Sequence, residues 1–279
     1  MRYILQILQA IVIIIIGKYF VSDELRPEFL GTGLTFFITF FFVDLVYDIF
    51  QNYGRVMLYL RFKYLAFGKH HIRFSMSYQY RIKVNDKYLL VKNSNWNFYQ
   101  HVGGKYKRIP VTQKILKDLE AVDDLKMKTT GLMKDDLAVF IPAKNASKFL
   151  TWFDTGEDRE ISHWREFYEE LVQGKGSILS KENFPYVNYS LVTSVQTPLL
   201  YARQWGCWEI LRYDVLDLLP TESQQKELEE LFEKGDTEYI KWADHELIQH
   251  RGYNNHTKET PYDIGKHTKW VINLSAEKG

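Results

Sequence analysis

Arg165-Glu166-Phe167-Tyr168-Glu169-Glu170-Leu171 sets three carboxylates three and four residues apart. On a helix this spacing puts Glu166, Glu169 and Glu170 on one face, with Phe167 and Leu171 on the apolar side. Like charges so placed repel by about a few tenths of a kcal/mol per pair on an exposed helix, so the face invites a compensating cation. Hard oxygen donors of this kind suit Mg²⁺, Mn²⁺ or Ca²⁺. A merely solvated glutamate face has the same spacing, so the surroundings must separate the two.

Upstream, Glu157 stands eight positions before Arg165, and the strand-like run Tyr88-Leu89-Leu90-Val91 leads to Phe98-Tyr99-Gln100-His101-Val102-Gly103-Gly104. A strand ending in Gly-Gly, followed by Arg-Glu-aromatic-x-Glu-Glu-Leu, resembles the Nudix box. In that family a glycine loop and a glutamate helix hold metal against a nucleotide pyrophosphate. Two departures stand out. Gly104 and Arg165 are 61 positions apart, far more than in the family pattern, which implies an insertion at about 105–156. Val172-Gln173 also stand where the family places a Gly-apolar pair.

The first 50 residues have a different composition. Residues 4–21 are nearly all apolar and, at ~1.5 Å per residue, reach about 27 Å, close to the thickness of a bilayer core. No small-x-small cleavage site follows them, which argues against a signal peptide. A second apolar run, 29–50, is broken only by Asp44 and Asp48. Together they predict a two-helix transmembrane hairpin. Arg2, Arg55, Arg61, Lys63 and Lys69 flank the spans on one side and Asp23, Glu24 and Glu28 occupy the turn, so the positive-inside rule puts both termini in the cytoplasm. Asp44 and Asp48 share a helix face and are candidates to line a seam between assembled hairpins, with the headgroup zone as the plainer alternative. Gly31 and Gly33 would allow close helix approach. Residues 51–71 read as a basic, aromatic juxtamembrane connector set against anionic lipid.

From residue 72 the period becomes that of strands. Residues 73–84 alternate, Asn85-Asp86-Lys87 turns the chain, and Lys87 to Lys92 returns. Helices are expected over 111–119, over 145–153 with Asn145 as cap, over 157–173 with the glutamates, and from Thr221 to Glu233. Further strands are expected over 136–142, 186–196, 207–215 and 239–242, a short helix over 244–248, and a last strand over 268–272 to close the sheet. The net charge of +1 over 279 residues argues against a DNA or RNA polymer as partner, and the single cysteine, Cys207, excludes an internal disulfide. The fold class is therefore α/β: residues 1–50 a transmembrane hairpin, 51–71 a connector, and 72–279 a Nudix-like α/β/α sandwich with a mixed sheet.

A two-span hairpin before a Nudix domain with a long insertion is similar to the transmembrane Nudix effectors encoded beside bacterial CD-NTases in the cyclic-oligonucleotide antiphage systems called CBASS. The similarity rests on this architecture, on Val102-Gly103-Gly104-Lys105-Tyr106 and on the segment from Arg165 to Leu171. It implies an inner-membrane protein that senses a cyclic oligonucleotide second messenger, forms a homo-oligomer in the lipid bilayer and breaches it. Under this reading Gly103, Gly104, Trp96, Phe98 and Tyr99 are the ligand-binding candidates, with the aromatic rings stacking bases. The alternative is a membrane-anchored hydrolase of a diphosphate-linked nucleoside. There Glu157, Glu166, Glu169 and Glu170 would hold Mg²⁺ and Glu166 would serve as base.

Overall fold

The alternation of residues 73–81 becomes the central strand of the protein. The computed structural model describes residues 2–124, 135–173, 177–203 and 205–276; residues 125–134 of the expected insertion lie outside them. The chain forms two compact units, residues 1–61 and 62–279.

In the first unit, α1 (Arg2–Tyr19) and α2 (Arg26–Gln51) are joined by a short turn in which the Arg26 guanidinium bonds the Gly17 and Val21 carbonyls and pairs with Asp23. A Cβ on Gly33 would stand 2.7 Å from Ile13, whereas Gly31 faces open space, so only one of the two expected glycines makes a close approach. Helix α2 is long and apolar enough to cross a membrane; Leu8–Tyr19 of α1 forms a shorter apolar helix. The second apolar segment thus begins three residues earlier than its sequence pattern suggested, at a helix start carrying Pro27. Most of the expected connector is helical, as α3 (Tyr53–Phe67).

In the second unit, β1 (His71–Arg81) is buried on both faces. Its apolar residues Phe74, Met76, Tyr78 and Tyr80 pack on one side. Its buried polar residues are satisfied on the other: Arg73 pairs with Asp124 at 2.7 Å and Glu209 at 3.1 Å, and Ser77 Oγ donates to the Arg212 carbonyl. One edge of β1 runs parallel to β9 (Cys207–Leu219). The other edge is shared: its first half pairs antiparallel with β6 (Ala138–Pro142), its second half with β4 (Tyr99–Lys105), and Met76 bonds both Leu137 and Tyr106 at the change-over.

The sheet extends from β4 through β3 (Lys87–Lys92) to β10 (Ile240–Ala243), and from β6 to β5 (Val122–Asp123). On the far side β7 (Asn188–Gln196) and β8 (Leu200–Ala202) pair with β9. The hairpin from β2 (Lys83–Val84) into β3 turns through Asn85 and Asp86, both at positive φ (47° and 63°), as a two-residue hairpin requires. The result is a mixed sheet in an α/β fold.

The helices are α4 (Thr112–Asp118), α5 (Ala146–Thr155), α6 (Trp164–Phe167), α7 (Glu222–Lys234), α8 (His245–Gln249) and α9 (Thr268–Asn273). Thr221 forms the reciprocal capping box with Gln224 that opens α7, and the Asp244 side chain caps α8. Three expectations are corrected. Asn145 does not cap α5: it ends a 3-10 turn, and its side-chain amide donates to the Leu119 carbonyl instead. The glutamate helix starts at Trp164 rather than Glu157 and passes after one turn into a π turn, Tyr168–Val172, closed by the Gln173 N–H on the Tyr168 carbonyl. Residues 268–272, expected to close the sheet, are helical; Val271 meets Val195 and Val215, and the adjacent Ile272 joins the cluster of Leu90, Tyr99 and Ile248.

Candidate functional site

The site forms where α6 and its π turn lie against β4. Gly103 and Gly104 sit within that strand, opposite Gln79 and Tyr78 of β1, and not in a loop after it. Each glycine meets one glutamate. The Gly103 N–H donates to Glu170 Oε2 at 2.9 Å, and a Cβ on Gly104 would collide with the Glu166 carboxylate. The two halves of the motif therefore meet in space although 61 positions separate Gly104 from Arg165.

Arg165 supplies the compensating cation. Its guanidinium reaches Glu166 at 2.6 Å, Glu160 at 3.0 Å and Glu169 at 3.3 Å, and donates to the Lys105 carbonyl at 2.7 Å. Such a planar fork serves several carboxylates at once. Burial disfavours its charge, but Glu160 and Glu166 outweigh burial and hold its pKa above the ordinary arginine value. Burial also lifts the Glu166 carboxyl above the ordinary range, against the pull of Arg165. Glu170 is raised much further, by burial first and by the Glu166 charge second, with the Gly103 N–H opposing. The Tyr239 hydroxyl fixes the Glu170 backbone carbonyl at 2.9 Å.

Glu157 does not join this cluster. It is exposed in the loop after α5, and its backbone N–H bonds Thr155. Glu160, which sequence spacing did not single out, occupies the place expected for it, bonding both Arg165 and the Lys107 N–H. Among the described residues no group of three Asp, Glu, His or Cys side chains is arranged to hold a metal ion. In this arrangement the donor set does not fit a divalent cation: Arg165 takes two of the three box carboxylates, and the environment of the third favours its proton.

The aromatic candidates lie elsewhere. Tyr99 is at the opposite end of β4 from the glycines, its ring in the core against Tyr262 and its hydroxyl on the Glu238 carbonyl. Phe98 packs on Gly265, and Trp96 is exposed in the turn between β3 and β4. The rings that do adjoin the site were not anticipated. Tyr78 accepts the Glu166 N–H at 3.3 Å, and Tyr80 donates to the His163 carbonyl at 3.0 Å. Tyr106 donates to Asp214 at 2.5 Å and contacts His163 Nε2 at 2.7 Å. With that proton committed to Asp214, His163 must donate from Nε2, and its buried Nδ1 has no partner. Burial accordingly pushes the His163 pKa down, against the Asp214 charge. The alternating pattern of β1 could have indicated Tyr78 and Tyr80; nothing local marks His163 or Asp214.

A carboxyl with a raised folded pKa stabilises the fold below its unfolded pKa, and that contribution is lost as pH rises through the folded value. Glu170→Gln keeps an oxygen for Gly103 and removes the ionisation. It is expected to raise Tm at pH 8 by about 2–4 °C, equivalent to about 1 kcal/mol. The difference should vanish near pH 4. A lower Tm at pH 8 would show that the charge itself is required.

A glutamate helix seated on a glycine pair, on a mixed sheet, defines a Nudix-type domain. A family model for the SMODS-associated NUDIX domain matches residues 71–272, and the chain belongs to that family. Comparison with curated proteins and with solved structures returns no match.

Proposed function

We propose that this protein is an effector of a cyclic-oligonucleotide antiphage signalling system of the CBASS type. Its NUDIX domain senses a cyclic di- or trinucleotide, and binding drives assembly of two-span hairpins that disrupt the inner membrane. Both termini are cytoplasmic, and the active form is a homo-oligomer. The observation that carries this reading is the family match over residues 71–272, in a chain whose helix Arg26–Gln51 is long and apolar enough to cross a membrane. Moving an assembly equilibrium from 1:99 to 99:1 takes about 5.5 kcal/mol of differential binding. Two or three stacked bases at ~1–3 kcal/mol each are on that scale.

Hydrolysis with Mg²⁺ is the second reading, supported by the presence of Glu166, Glu169 and Glu170. Against it stand the engagement of Glu166 and Glu169 by Arg165 and the exclusion of Glu157 from the cluster. The two separate in cells co-expressing a cyclic-dinucleotide synthetase, with membrane potential followed by a dye. Glu169→Gln is expected to depolarise cells as the native protein does; loss of depolarisation with ligand binding intact would favour hydrolysis. Asp44→Asn with Asp48→Asn is expected to slow depolarisation at least several-fold with ligand binding unchanged. An unaltered time course would remove these aspartates from the seam.

A further inference from the structure

Charge alone marks residues 51–71 as a basic connector; the structure adds that most of it is one helix with two apolar faces. On α3, Phe62 and Leu65 are each 3% exposed and define an inner face. At 3.6 residues per turn, Tyr53, Leu60, Tyr64 and Phe67 fall on the opposite side. They are open to solvent, Tyr64 at 77% and Phe67 at 90%. Large rings this exposed, in line along one helix, form a continuous apolar strip that water does not favour.

The charge around the strip indicates what covers it. Arg55, Arg61, Lys63 and Lys69 lie on or beside the helix, and no acidic residue occurs between Asp48 and Asp86. Among the described residues Arg55, Arg61 and Lys69 have no acidic partner. By helix position Arg55 falls on the Phe62 side, whereas Arg61 lies beside the strip and Lys69 just past its end; a protein partner of mixed charge leaves such a one-signed rim unmatched, and an anionic lipid surface matches it. Tyrosine rings with basic flanks are the composition of the membrane–water interface. The helix also follows directly on α2, whose last residue is Gln51.

We infer that the outward face of α3 lies in the headgroup layer of an anionic membrane, with Tyr64 and Phe67 inserted at the acyl boundary and Arg61 and Lys69 on lipid phosphates. This rests on the proposed membrane location of α2. It gives the protein a lipid-binding surface just before the NUDIX domain, separate from the spanning segment.

The test uses the full chain in nanodiscs of phosphatidylglycerol and phosphatidylcholine, in a Cys207→Ala background. A nitroxide is placed at Phe67→Cys or, as a control within α2, at Ile38→Cys. Power saturation compares access to oxygen, which favours lipid, with access to a water-soluble nickel chelate. The Phe67 label is expected to be several-fold more accessible to oxygen than to nickel, and Arg61→Glu with Lys69→Glu should reverse that ratio. A Phe67 label open to nickel, or shielded from both reagents as under a second protein copy, overturns the inference if the Ile38 label remains in lipid. An Ile38 label in water overturns the membrane reading and this inference with it.

Discussion

Gly103→Ala is expected to cost the NUDIX domain about 2–6 kcal/mol and to abolish response to any ligand. Gly103 has φ +144°, a region that side chains avoid, and a Cβ there would run into the Tyr78 carbonyl on the neighbouring strand. The obstacle is backbone in the middle of β1, so it cannot rotate away. Unfavourable φ contributes about 1–3 kcal/mol and the forced separation of strands a similar amount. Gly104→Ala makes a contrasting control, because its obstacle is the Glu166 carboxylate, the end of a side chain. Urea midpoints of the full chain in detergent measure both. Equal midpoints for Gly103→Ala and the native chain would mean that the β1–β4 register described here is wrong.

Arg165→Met is expected to destabilise the domain by about 2–4 kcal/mol at pH 8. Removing one partner of a fully buried pair costs about 3–5 kcal/mol; Arg165 keeps 22% of its side-chain exposure, so solvent takes part of that load. What remains is Glu160, Glu166 and Glu169 facing one another, with the Lys105 carbonyl also losing its donor. The penalty should shrink markedly at pH 4.5, where the freed carboxylates take protons. Arg165→Lys retains charge without the fork and should fall between the two. A penalty independent of pH would place the loss in packing rather than in charge.

How much of this was legible differs from residue to residue. Asn85-Asp86 between two alternating runs gave the β2–β3 hairpin, since few other sequences make that turn. The glutamate spacing placed Glu166, Glu169 and Glu170 together, and the glycine pair placed Gly103 and Gly104 beside them despite the intervening chain. Gly-Gly reads as a breaker, yet here it keeps β4 close to both β1 and the helix, a need that only tertiary structure states. Thr268-Lys269-Trp270-Val271-Ile272 has strand composition and yet folds as helix, with Val271 and Ile272 in two separate clusters, a case of tertiary packing overriding local preference. Spacing alone indicates a cation from outside the chain, because it cannot show where a guanidinium points; Arg165 itself fills that role. Nothing in the local sequence identifies Glu160 as its partner, because the two are joined by loop geometry and not by helix period.

Receptor and hydrolase separate most directly when the full chain in detergent is incubated with Mg²⁺ and cyclic di- and trinucleotides, with melting temperature and nucleotide integrity followed in the same sample. One ligand at about a hundredfold its Kd is expected to raise Tm by roughly 5–10 °C and to be recovered intact. Catalytic consumption of that nucleotide, or no shift with any member of the panel, would contradict the receptor reading.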